Sequence, residues 1–186
     1  MIMKSTFIVL LATSLNSAWA CPGSPATMHA SCEMSLYFPN TSCDKVAHEI
    51  DARGRHKKQW KDPHNNGKYS IEVMEKQEGG DKYLIEGSRL TGDEMYTDKF
   101  DFEMENDLAN GGCKVKACSE SQVTSVLDFS TNYCNLKMLI CTPADGCTAV
   151  DKNYGGEDFV YEETHSYFSC PQRSLPKCFS GTALEL

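Results

Sequence analysis

The sequence predicts an α+β domain: one N-terminal helix packed on a curved antiparallel sheet, the whole stapled by disulfides. Three observations predict it. One stretch near residue 50 has helical spacing of its apolar residues, the spacing falls to two from about residue 69 onward, and ten cysteines lie around that central part. A helix and a sheet each have one apolar side to bury, so the helix is expected to lie across one face of the sheet. The alternative arrangement is a small all-β barrel or sandwich with one appended helix.

Residues 1–20 read as a secretory signal peptide. Lys4 supplies a short basic start, Phe7 to Leu15 an apolar run, and Ala18-Trp19-Ala20 a small-x-small cleavage site before Cys21. The run is too short to span a bilayer, which takes roughly 20 apolar residues. Cleavage there leaves 21–186 as a single secreted, disulfide-rich domain, large enough to bury a core of its own. No later segment is apolar enough for a transmembrane span. Residues 1–20 hold one basic residue and no acid, so the remainder sets 17 Lys and Arg against 26 Asp and Glu, a balance of −9. Such acidity repels phosphate backbones, which excludes nucleic acid as the expected partner.

All ten cysteines fall after the cleavage site: Cys21, Cys32, Cys43, Cys113, Cys118, Cys134, Cys141, Cys147, Cys170 and Cys178. An even count in an oxidising compartment reads as up to five bridges, whereas zinc-type CxxC pairs are absent. With three cysteines in the N-terminal group, at least one bridge must tie that group to the later one. The stretch Asp44–Gly112 has no cysteine, so its own core must hold it.

Residues 21–40 look irregular, with prolines and small residues. Asn40-Thr41-Ser42 is an N-glycosylation sequon, and Thr41 with Asp44 has capping-box spacing. A helix is expected from about Ser42 to Trp60, with Val46, Ala47, Ile50 and Trp60 on one face and Gly54 a weak point inside it. Asp62 to Gly67 is a turn. Tyr69, Ile71 and Val73 then alternate with polar residues, Glu78-Gly79-Gly80-Asp81 makes a hairpin, and Tyr83 and Ile85 continue a second strand. Tyr96, Phe100, Phe102 and Met104 mark a third strand with an aromatic inner side. Asn110-Gly111-Gly112 turns the chain into a short extended piece from Cys113 to Ala117. Strands are also expected over Val123–Phe129, Leu136–Cys141 and Phe159–Phe168, with Asn132-Tyr133-Cys134 as turn punctuation.

One helix followed by such a meander resembles the layout of cystatin-like proteins. The inhibitory loop of cystatins is a Gln-x-Val-x-Gly string. Here the nearest string is Gln122-Val123-Thr124-Ser125-Val126, which lacks the glycine.

The catalytic inventory is thin. His48 and His56, two helical turns apart, could share a face, and His56, His64 and Lys57 could be gathered as a two-histidine phosphate site, with Asp62 beside His64, but no hydrolase motif accompanies them. Asp151, Asn153 and Glu162 occupy positions one, three and twelve of an EF-hand-type calcium loop, with Gly156 at position six. The aromatics Tyr96, Phe100, Phe102, Phe129 and Phe168 read as core, or as the lining of a pocket for a small apolar ligand. The expected function is therefore a secreted, non-catalytic binding or structural protein. Its partner would be an extracellular protein, a glycan or a small apolar ligand, with no cofactor except calcium at the Asp151 loop. A secreted hydrolase with a site assembled from scattered residues, or a calcium-dependent module, are the alternatives.

Overall fold

The structure is a computed structural model that describes residues 21–125, 128–152, 160–164 and 169–179. The signal segment 1–20, Asn153, Gly156 and Phe168 lie outside the described residues. The chain is α+β, with two α-helices on a six-stranded antiparallel sheet and five disulfides. In chain order the elements are β1 (Ser31–Phe38), α1 (Cys43–Gly54), β2 (Lys68–Lys76), β3 (Lys82–Leu90), β4 (Thr97–Asp107), β5 (Gly112–Ser121), α2 (Thr131–Ile140) and β6 (Glu162–Thr164). Across the sheet the order is β2-β3-β4-β5-β1-β6.

The helix is thus not N-terminal, because a strand comes first. Cys32, Met34, Leu36 and Phe38 are buried and alternate with better exposed neighbours, and β1 pairs with β5 along its whole length. The meander of the middle is as expected, with one change: a bulge between Ile71 and Val73 in the edge strand β2 shifts the register, so Val73 loses its place on the buried face.

Helix α1 stops at Gly54, short of Trp60. His56, Lys58 and Gln59 beyond it take positive φ, and Lys57–Gln59 is a single 3-10 turn. The capping box from Thr41 does not form. Ser42 is the N-cap without a side-chain bond, and Asn106 of β4 accepts the Cys43 N–H at 2.8 Å instead. Gly54 has a packing reason: a Cβ there would stand 2.4 Å from Ile71 Cδ1, so glycine lets the helix end lie against β2.

The stretch Leu136–Cys141 is helix, not strand. Leu136, Met138, Leu139 and Ile140 are buried all round α2, and so short a segment, apolar but for Lys137, reads alike in a buried helix and a buried strand. The expected strand at Val123–Phe129 is absent among its described residues, and the last strand is described only as the three residues of β6.

Bridges join Cys21–Cys118, Cys32–Cys170, Cys43–Cys113, Cys134–Cys178 and Cys141–Cys147. All three N-terminal cysteines reach later partners. Cys43–Cys113 closes the base of the cysteine-free stretch. The core fills the space between one sheet face and both helices, with Leu36, Phe38, Ile85, Phe102, Met104 and Val115 from the sheet, Val46 and Ile50 from α1, and Leu136 and Leu139 from α2. The opposite face carries exposed Lys99, Glu103, Glu105, Lys114 and Lys116. Near the end of β5 the N-terminal arm crosses that face, where Glu120 accepts from the Gly23 N–H and meets His29. Among the described residues no helix is long and apolar enough to cross a membrane.

Candidate functional site

Along the inward side of β3 and β4 the residue type changes near one end of the sheet. Tyr83, Ile85 and Gly87 give way to Arg89, and Met104, Phe102 and Phe100 to Asp98; Arg89 and Asp98 are cross-strand partners. Both are buried. A buried charge must be compensated, and the turn Asp62–Gly67 does this for Arg89. The guanidinium donates to Asp62 Oδ2 from Nη2 at 2.6 Å and from Nε at 3.0 Å, and to Asn65 Oδ1 at 2.7 Å. Asp62 also accepts the N–H groups of His64 and Gly67, so one carboxylate shapes the turn and holds the arginine. A Cβ on Gly67 would stand 2.3 Å from the guanidinium, which is why glycine ends the turn. Burial pushes the Asp62 carboxyl up while Arg89 pulls it down, and the net direction is up. Burial and Arg89 together hold His64 down at about 4. His64 is therefore neutral at ordinary pH, its Nδ1 donating to the Lys177 carbonyl.

A second set continues the network into α2, where Asn132 and Asn135, one turn apart, face the sheet. Asn135 Nδ2 donates to Asp98 Oδ2 at 2.8 Å and to Ser119 Oγ at 3.0 Å. Ser119 donates to Asn132 Oδ1, and Asn132 Nδ2 donates to Asp128 Oδ1 at 2.7 Å. The Asn132 backbone N–H also ends on Asp128. Burial raises the Asp128 carboxyl to about 6.

This polar end is incompletely satisfied. Among the described residues, the buried side-chain polar atoms without a partner are His64 Nε2, Arg89 Nη1, Asp98 Oδ1 and Asn135 Oδ1, and all four belong to it. Each such atom costs about 1–3 kcal/mol. Beside them opens a cleft of about 350 Å³, between the β3–β4 turn and the start of α2. Asp98, Asp128, Thr91, Ser121 and Thr131 line it, together with Tyr96 and Phe129. Asp98 is only 1% exposed, whereas Tyr96 is 42% and Phe129 64% exposed. Phe129 and Ser130 both take positive φ, 49° and 74°. Left-handed backbone at non-glycine residues costs on the order of 1–3 kcal/mol each and gathers at functional sites.

The other candidates fall elsewhere. Of the aromatic set, Phe100 and Phe102 are core, while Tyr96 and Phe129 flank the cleft. His48 is on α1, but His56 lies beyond its end, its two nitrogens facing the carbonyls of Trp60 and Tyr69; His64 belongs to the Arg89 turn, so the three do not assemble. Asp151 borders a separate cleft of about 410 Å³ with His48, Asp51, Lys57, Lys58 and Lys152. Its N–H donates to Glu49, the partner of the buried Arg53, and its carboxylate lies 3.9 Å from His48. Glu162 is on β6. Among the described residues, three His, Cys, Asp or Glu ligand atoms come within 4.8 Å of one another only at Cys21, Glu33 and Cys118, where the sulfurs are already bonded to each other. Asn40 is exposed in the turn after β1. Sequence reasoning missed Arg89, Asp98, Asp128, Asn132 and Asn135. The available signal was a pair of opposite charges at inward positions of two otherwise apolar faces.

No protein-family model matches the chain, and no curated protein matches it. The chain is similar to an uncharacterized protein from Bacillus thuringiensis of known crystal structure. The identity is 15%, over 60% of this chain and 96% of that one, with a TM-score of 0.25, a likeness too slight to carry an argument.

Proposed function

We propose that this chain is a secreted, non-catalytic binding protein whose ligand enters the cleft beside Asp98. The observation that carries the reading is Asp98 Oδ1: a carboxylate oxygen of a side chain 1% exposed, without a partner, at the wall of a cleft edged by two exposed aromatics. Buried polar atoms are nearly always paired, so an orphan beside an opening supports a role in recognition. Five disulfides are compatible with an extracellular site of action. Export would proceed by removal of residues 1–20, and the exposed Asn40 would be open to glycosylation.

Native mass spectrometry of the exported chain tests the reading. The expected result is a polypeptide beginning at Cys21 that carries a small adduct, lost in Thr124→Trp, whose side chain would fill the cleft. An adduct retained in Thr124→Trp, or a chain that stays inside the cell, would overturn it.

A further inference from the structure

The cleft's charge balance and its aromatic edges narrow the ligand's chemistry, an inference that rests on reading the cleft as the binding site. Three carboxyl groups, Asp62, Asp98 and Asp128, stand at this end of the sheet against one buried guanidinium, Arg89. Asp62 and Arg89 pair with each other in direct contact. Asp98 keeps one oxygen bonded to Asn135 and the other buried without a partner at the cleft wall. Asp128 accepts the Asn132 N–H, so the positive end of α2 is answered within the chain. Lys177 also acts on Asp128, which still leaves more carboxyl groups than cations here, and neutral His64 adds no charge. The unpaired oxygen therefore calls for a donor, and the surplus of carboxyl groups favours a positively charged one.

A bare divalent ion fits poorly. Among the described residues no set of three His, Cys, Asp or Glu ligand atoms lying within 4.8 Å of one another includes Asp98 or Asp128, and oxygen-ligated calcium takes six to eight ligands. The exposed rings of Tyr96 and Phe129 add what a metal does not need, since aromatic faces attract organic cations and cover apolar bodies. A volume of about 350 Å³ suits a small molecule.

We propose that this cleft binds a small organic cation, a protonated primary amine on a short apolar body, with the ammonium against Asp98 and the body beside Tyr96 and Phe129. Asp128 supplies the second negative charge, and the hydroxyls of Thr91, Ser121 and Thr131 give the rim acceptors for the remaining N–H groups.

Amide chemical-shift titration of the intact, oxidised chain tests it, with phenethylammonium chloride, its neutral counterpart 2-phenylethanol, and calcium chloride as probes. The expected result is that phenethylammonium shifts the amides of Thr91, Asp98, Ser121 and Thr131 and binds at least tenfold more tightly than the alcohol. Asp98→Asn should erase that preference, and Phe129→Ala should weaken both organic probes. Should Asp98→Asn fail to fold by circular dichroism, Asp128→Asn takes its place and should lower amine affinity severalfold without changing that of the alcohol. Equal binding of amine and alcohol at these amides would overturn the cation while leaving the cleft as the site. Calcium acting alone there would also overturn the organic cation. Shifts confined to other regions, or none with any probe, would overturn both readings.

Discussion

The sheet face beneath the helices has two halves that differ in kind. Around Phe102, Ile85, Leu36 and Leu139 it is apolar, and among the described residues it holds no buried side-chain polar atom without a partner. Around Arg89, Asp98 and Asn135 it is equally buried but polar, and four of its atoms go unpaired. The first half earns its stability from area removed from water, at about 25 cal/mol per Å². The second offsets desolvation with charge pairing and recovers little net stability, as buried ion pairs commonly do. Such an arrangement at one end, beside a cleft, accords with the binding role proposed for it.

Substitutions can break or sharpen this contrast. The largest loss is expected from Phe102→Ala in the apolar half, about 3–5 kcal/mol in urea unfolding, with little change between pH 5 and 8. Arg89→Met should cost about 3–5 kcal/mol at pH 7, since it leaves Asp62 buried without its partner. That loss should shrink toward pH 5, because burial already pushes Asp62 upward and acid neutralises it. A loss of less than about 1 kcal/mol would mean that water reaches the polar half freely, and the contrast would fail.

Asp128 should give a smaller, pH-dependent effect of opposite sign. Its carboxyl sits near 6 in the folded chain against 3.8 for the free group, so the folded state holds its proton more tightly. Its contribution is therefore most favourable in acid and is lost as pH rises from about 4 through 6. Asp128→Asn keeps the oxygen that Asn132 uses, and should raise stability at pH 8 by roughly 1–2 kcal/mol and not at pH 4. Thermal melts at the two values check it, and a gain equal at both would rule out the titration. The smallest effect is expected from Asp98→Asn, within about 1 kcal/mol of the parent in chemical unfolding, because one amide oxygen can still take the Asn135 bond. A large loss would make Asp98 a structural residue.

The middle of the molecule was the most legible part of the sequence. Tyr69 and Ile71, the Gly79-Gly80 hairpin, Ile85 and the Phe100–Phe102–Met104 series each show a period of two between clear turn residues, and they became β2, β3 and β4. β1 was missed although Cys32, Met34, Leu36 and Phe38 alternate just as well, because its cysteine and the prolines before it read as irregular chain. α2 was misread because every residue from Asn132 to Ile140 is buried, so its polar Asn132, Asn135 and Lys137 mark no solvent-facing stripe that would reveal its period. The cleft was the least legible. It joins a turn, two strand ends and a helix start whose shared location is set only by tertiary pairing, and Arg89 and Asp98 look ordinary until Leu90↔Thr97 fixes their register.

The strand order has a consequence for the chain as it is made. Of the described strands β1 is synthesised first, yet its neighbours are β5 and β6. Met34, Leu36 and Phe38 must wait for Gly112–Ser121, on the order of ten seconds at about 5–20 residues per second. Throughout that interval Cys21, Cys32 and Cys43 have only one another within reach, while their native partners are Cys118, Cys170 and Cys113. An oxidant acting on the nascent chain before residue 113 can make only wrong pairs. Maturation thus depends either on keeping these three thiols reduced until the chain is longer or on an isomerase that reopens what formed too soon.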